Sequence, residues 1–213
     1  MKVLVTGATG FLGSHLCSKL EKLNYEVYIS NTNQANLSKI ENLYIFNDIK
    51  FDYIFHLAAA TKAGDYCLTH QGNQWEDNQL LNTNILIYWK NHQPQAKIIC
   101  MGTSSSYPVD LPMEEKNYLI GSPEEDLFTY AMTKRMLLIG LMAFEKQYGL
   151  KWLYFVPSTI YGSGFPERDN HMIIDLIRKI YNAMHYDKEV ELWGDGYQRR
   201  ELIYVDDAIE AML

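Results

Sequence analysis

Tyr130 and Lys134 stand four residues apart in TYAMTKRMLL, where apolar residues recur at helical spacing. On a helix that interval puts the phenol and the ammonium on one face. A neighbouring cation favours tyrosinate over phenol and moves a reference pKa of about 10 downward. Tyr130 then becomes a usable general acid or base for a carbonyl or an alcohol. Upstream, MGTSSSYP (101–108) places four hydroxyls, Thr103 to Ser106, directly after the apolar run AKIIC (96–100). A serine run usually marks a polar loop, but here it leaves the end of a buried strand. A third feature is TGATGFLGSHL (6–16), with Gly7, Gly10 and Gly13 three apart at the junction of a predicted strand and helix. Glycines there permit a tight turn and let a diphosphate approach the backbone, while the helix N-terminus offers free N–H groups to the anion. Thr9, Phe11 and Leu12 lie within the same expected dinucleotide cradle.

The elements that must position these groups alternate along the chain. KVLVT (2–6), EVYIS (26–30), YIF (44–46), DYIFHLA (52–58), AKIICMG (96–102) and KWLYFV (151–156) read as strands. Segments 11–23, 77–91 and 129–148 carry helical periodicity between them. Near-continuous apolar strands separated by helices predict an α/β fold, a Rossmann-like doubly wound parallel sheet covered on both faces. After Pro157 the alternation weakens into a helix (172–184), a strand VELW (190–193), and RRELIYV (199–205). Residues 1–157 are expected to form the dinucleotide-binding domain. Residues 158–213 are expected to be a small, incomplete substrate-binding region, since the chain stops inside what reads as a new helix, VDDAIEAML.

Bulk properties narrow the function. A net charge of −7 without a Lys/Arg run argues against a nucleic-acid surface. The chain opens into KVLVTG without a charged lead and apolar h-region, so no signal peptide is expected, and no membrane span is expected because no apolar stretch approaches ~18 residues. Cys17, Cys67 and Cys100 are scattered, in no metal-ligand spacing, and read as reduced, buried thiols of a cytoplasmic protein with no metal site. After Ser30 the chain continues Asn31, Thr32, Asn33, without the acid that would hold an NAD ribose. That favours NADP over NAD, although no arginine stands there either. Asp48 and Ile49 are candidates for the adenine edge.

TGATGFLGSHL, HLAAA (56–60), GTSSSYP, YAMTK, VPSTIYGSG (156–164) and LWGDGYQRRELIYVDD (192–207) occur in the order and spacing of the extended short-chain dehydrogenase/reductases of nucleotide sugars. Across the whole chain the sequence most resembles the GDP-L-fucose synthase group, the GDP-4-keto-6-deoxyhexose epimerase/reductases. The resemblance implies a Thr103–Tyr130–Lys134 triad, with hydride passing between NADPH and C4 of the sugar. It implies cofactor contacts at Leu57, Ala58, Ala59, Val156, Pro157 and Ser158, and substrate contacts at Ser104, Ser105, Thr159, His171, Lys179, Trp193 and Arg200. It also implies a backbone-bonding role for Asn84, a GDP-sugar as the favoured nucleotide-diphosphate sugar, and a homodimer.

The sequence departs from the pattern in informative places. Ser104 and Ser105 stand where dehydratases carry an acidic pair, so dehydration is not expected. Ser105 also occupies the position of the epimerase thiol, and a serine hydroxyl is a far poorer base than a thiol of pKa about 8.5. The family's acid is matched by His171, and Thr159 replaces a common asparagine. The expectation is a C4 reductase with doubtful C3/C5 epimerase activity. The alternatives are a nucleotide-sugar 4-epimerase holding NAD and a non-catalytic NADP-binding protein on the same fold.

Overall fold

A computed structural model describes residues 1–61, 65–165, 172–186, 189–192, 194–197 and 199–213. Five strands, β1 (Lys2–Thr6), β2 (Glu26–Ser30), β3 (Tyr53–His56), β4 (Lys97–Met101) and β5 (Trp152–Phe155), form one sheet in the order β2-β1-β3-β4-β5. Every pairing in it is parallel, as the continuous apolar runs require, because a sheet covered on both faces has no polar side. α1 (Phe11–Lys22) and α6 (Val205–Met212) cover one face, where Leu16, Leu20, Val205 and Ile209 meet Val3, Val5 and Ile99. α3 (Gln71–His92) and α4 (Phe128–Tyr148) cover the other, where Ile85, Trp89, Leu137 and Leu141 meet Leu4, Ile54 and Ile98. The short α2 (Asp65–Thr69) precedes α3. The α/β, Rossmann-like doubly wound architecture expected from the sequence is the observed one.

Beyond β5, β6 (Thr159–Tyr161) and β7 (Leu202–Tyr204) pair parallel in a second sheet, with α5 (Met172–Tyr186) between them in sequence. Three element expectations need correction. YIF (44–46) lies not in a strand but in a 3-10 turn, Ile40–Phe46. Its Leu43 and Phe46 enter the core while Tyr44 and Ile45 stay exposed, a one-sided burial that a strand at this position would not need. Residues 190–192 of the expected strand VELW have no regular structure, and Thr159–Tyr161 is a strand that the sequence reading did not assign. The third correction concerns hydropathy. Glu125–Tyr148 is long and apolar enough, by length and composition, to cross a membrane. In the fold it contains the core helix α4, with Ala131, Thr133, Lys134, Arg135, Leu137 and Leu141 buried.

Candidate active site

The C-terminal ends of β1, β3 and β4 open into one cleft of about 860 Å³. This is where open parallel sheets bind ligands, because the strand ends and helix N-termini converge there. At one end lies the glycine turn. Gly7 has φ +69, and a Cβ there would meet the Ala58 nitrogen at 2.6 Å, while a Cβ on Gly13 would sit 2.1 Å from the Gly7 carbonyl oxygen. Only glycines let β1, the HLAAA segment and α1 close to this distance. Gly10 caps α1 without a side-chain hydrogen bond, and Gly7, Thr9, Gly10, Phe11, Leu12 and Gly13 all line the cleft. The cradle therefore fits a diphosphate, with bare helix N–H groups and no side chain filling the space.

The floor is held by a buried polar network. The Ala58 amide donates to Thr6 Oγ1 at 3.3 Å, Thr6 Oγ1 lies 2.9 Å from His56 Nδ1, and His56 Nε2 lies 3.0 Å from Asn82 Oδ1. Burial lowers the His56 pKa to about 4, so the ring is neutral, with one nitrogen to donate and one to accept. Asn78 grips the Ala60 peptide from both sides, accepting its N–H at 3.0 Å and donating to its carbonyl at 3.2 Å. Sequence reasoning missed Gln74, Asn78 and Asn82, which are all buried on α3. The signal was present as amides repeating every four residues, on one helix face. Asn84, which was singled out, donates to the Leu37 carbonyl at 2.7 Å and so anchors the loop after β2.

At the other end β4 delivers the hydroxyl run. Thr103, Ser104 and Ser105 line the cleft opposite Tyr130 and Lys134 of α4. Ser106 turns away and donates to the Ala131 carbonyl at 3.0 Å, buried. Thr103 Oγ1 accepts the Ser105 N–H at 3.3 Å, which leaves its own proton for another acceptor. Lys134 donates to the Met101 carbonyl at 3.0 Å and lies 5.9 Å from the centre of the Tyr130 ring. Burial pushes the Tyr130 phenol above its ordinary range, with Tyr118 and Cys67 adding to the rise. The sequence had suggested a downward shift from Lys134. The direction reverses because desolvation exceeds a cation engaged elsewhere, and burial also lowers Lys134 to about 8. At neutral pH the pair is a phenol beside an ammonium.

Asn31, Leu57, Ala58, Ala59, Pro157, Ser158 and Thr159 complete the expected residues on the cleft. Ser30, Thr32, Asn36, Cys67, Gln74 and Phe165 line it as well and were not anticipated as contacts. Asp48, Ile49 and Val156 do not line it. Gln93 holds the Ile49 carbonyl at 2.8 Å against the core, while Asn31, Thr32, Asn36 and Leu37 of the loop after β2 line the cleft. Lys179 pairs with Asp175 at 3.0 Å on α5, and Arg200 is exposed, both away from the cleft lining. His171 and Trp193 fall outside the described residues. Among the described lining residues Lys134 alone is charged.

Residues 3–213 match the NAD dependent epimerase/dehydratase family. GDP-L-colitose synthase of Yersinia pseudotuberculosis is 28% identical over 217 residues, covering 97% of this chain and 69% of its own length. GDP-L-fucose synthase of Dictyostelium discoideum is 27% identical over 216 residues, covering 96% and 66% respectively. The chain thus spans about two thirds of these relatives. GDP-mannoheptose C4 reductase from Campylobacter jejuni, solved with NADP bound, has the same fold. It superposes with a TM-score of 0.86 at 21% identity, over 99% of this chain and 71% of that one.

Proposed function

The chain belongs to the NAD dependent epimerase/dehydratase family, and on that premise we propose that it is an NADP(H)-dependent oxidoreductase. Its reaction is reduction of the C4 ketone of a nucleotide-linked 4-keto-6-deoxy sugar, with a GDP-sugar favoured. The observation that carries this reading is the convergence of Thr103, Tyr130 and Lys134 with the glycine cradle on a single cleft that has no carboxylate among its described lining residues.

A bound NADPH supplies the hydride. The backbone from Gly10 to Gly13 would hold its diphosphate, Pro157 and Ser158 would meet its carboxamide, and the Lys134 ammonium would hold its ribose hydroxyls. Thr103 and Tyr130 share the ketone oxygen, and Tyr130 gives its proton to that oxygen as the alcohol forms. A phenol kept protonated by burial suits this direction, in which the proton must be given rather than taken. Dehydration requires a carboxylate near C5 and C6, which Ser104 and Ser105 do not supply. Ser105 also offers no thiolate for C3/C5 epimerisation, while Cys67 is the thiol among the described lining residues. The same reading takes Thr159, His171, Lys179, Trp193 and Arg200 as nucleotide-sugar contacts, and 1–157 and 158–213 as cofactor and substrate domains. It also takes the molecule as a cytosolic homodimer, consistent with three free cysteines and with Met136, Ile139 and Met142 exposed along α4.

The test offers GDP-4-keto-6-deoxymannose and NADPH in D₂O and reads the product by NMR. Cofactor oxidation without deuterium at C3 or C5 is expected. Deuterium at those carbons would overturn the claim that Ser105 disables epimerisation. Failure to consume NADPH with this and related 4-keto sugars would leave a cofactor-binding protein.

A further inference from the structure

We propose that Tyr118 and Tyr154 form a positioning pair that fixes Thr103 against the helix carrying Tyr130 and Lys134. The inference rests on the reading of those three residues as the reactive groups. Tyr118 lies in the connection between β4 and α4 and is 3% exposed, and Tyr154 comes from the edge strand β5. Their oxygens are 3.1 Å apart. Tyr154 donates its one proton to the Lys134 carbonyl at 2.8 Å, so Tyr118 must be the donor between the two phenols. The Tyr118 oxygen then accepts the Thr103 N–H at 3.4 Å. Three directed hydrogen bonds thereby run from the backbone of Thr103 to the backbone of Lys134. Each phenol donates once and accepts once.

Packing holds this relay in place. Tyr118 sits edge-on to Tyr107 with centroids 5.2 Å apart, and edge-on to Tyr154 at 5.8 Å. A Cβ on Gly102 would lie 2.6 Å from the Tyr154 ring and 2.7 Å from the Tyr118 oxygen, so the end of β4 closes directly onto both phenols. Burial keeps Tyr154 protonated well above the ordinary phenol range. The segment around Thr103 is tied to α4 on either side, by Lys134 at the Met101 carbonyl and by Arg135 at the Ser106 carbonyl at 2.6 Å. Between those ties the Thr103 amide is held by the Tyr118 oxygen, so this phenol fixes the backbone that carries the threonine hydroxyl.

Tyr118→Phe and Tyr154→Phe remove one hydroxyl each while keeping the packed rings. Each is expected to lower kcat for C4 reduction about tenfold, the loss that follows from one hydrogen bond in a reacting geometry. KM for NADPH should move less than about twofold, because the cradle is remote from the pair. In a Thr103→Ala background, adding Tyr118→Phe should cost less than about twofold, since the phenol acts through Thr103. A full additive loss in that background, or an unchanged kcat with only a lower Tm, would overturn the proposal. Amide exchange on the cofactor-free protein provides a readout independent of turnover. Tyr118→Phe should speed exchange at 101–107 and leave β1 and β3 unchanged, and unaltered exchange at 101–107 would refute the link. If the wild-type protein reduces no 4-keto sugar nucleotide, the functional reading falls, and exchange alone decides whether the phenols tether Thr103.

Discussion

Replacing Lys134 by Met should make the protein more stable while removing its activity. Lys134 is 6% exposed, and burial lowers its ammonium from the ordinary 10.5 to about 8. At about 1.4 kcal/mol per pH unit, that gap disfavours the charged folded state at pH 7 by about 3 kcal/mol. Methionine has nearly the same shape and no charge, but it leaves the Met101 carbonyl without the 3.0 Å bond from Nζ, a loss of about 1–2 kcal/mol. The net gain is about 1–2 kcal/mol, or a Tm about 3–6 °C higher for a chain of this size. The sign with pH follows from the folded pKa lying below the unfolded one. The unfolded chain binds the extra proton between about 8 and 10.5, so wild-type stability rises with pH through that window and is lowest below it. Urea titrations from pH 7 to 9.5 should therefore show wild type gaining on the Met variant as pH rises. The same variant should lose at least about a hundredfold in kcat/KM, because the ammonium no longer holds the ribose. A lower Tm, or an equal pH slope for both proteins, would refute the idea that desolvation of this lysine is stored in the fold.

Tyr130→Phe should abolish C4 reduction, by about a hundredfold or more, and change NADPH affinity less than about threefold by fluorescence titration. Unchanged turnover would remove Tyr130 as the proton donor. Gly13→Val should eliminate detectable NADPH binding, since even a Cβ would sit 2.1 Å from the Gly7 oxygen, and retained affinity would move the diphosphate elsewhere. Thr32→Arg adds a cation to a rim that Ser30, Asn31, Asn36 and Leu37 otherwise line without charge. It should tighten NADPH about tenfold and leave NADH unaffected, whereas an equal effect on both would place the 2′-phosphate outside this loop. In wild type, kcat/KM for reduction should fall as pH rises through about 8, where Lys134 loses its charge, and a flat profile from 7 to 9 would count against its role.

The parts legible in sequence were those fixed by local periodicity or by backbone geometry. The parallel strands announced themselves as unbroken apolar runs, and the glycine turn as a spacing that only close backbone approach explains. Tyr130 and Lys134 could be paired because helical spacing puts them on one face, whereas Thr103 was picked out of the hydroxyl run only by the resemblance to the nucleotide-sugar enzymes. The 3-10 turn at 40–46 was not legible, because YIF satisfies strand propensity and only tertiary burial of Leu43 and Phe46 selects the turn. The tie at Ile49 was equally hidden: Gln93, more than forty residues away, holds that carbonyl against the core.

The reversal at Tyr130 has the same origin as those misses, and it bears on chemistry. Sequence spacing reveals that a lysine shares the tyrosine's face, but a pKa depends on how much water both groups have lost. Here both are buried, and the lysine's proton is engaged by the Met101 carbonyl. Desolvation disfavours tyrosinate and ammonium alike, which leaves Tyr130 a donor and brings Lys134 close to losing its charge. The same burial that hid the outcome from sequence spacing keeps Tyr130 protonated, as the proton donor that the proposed reduction needs.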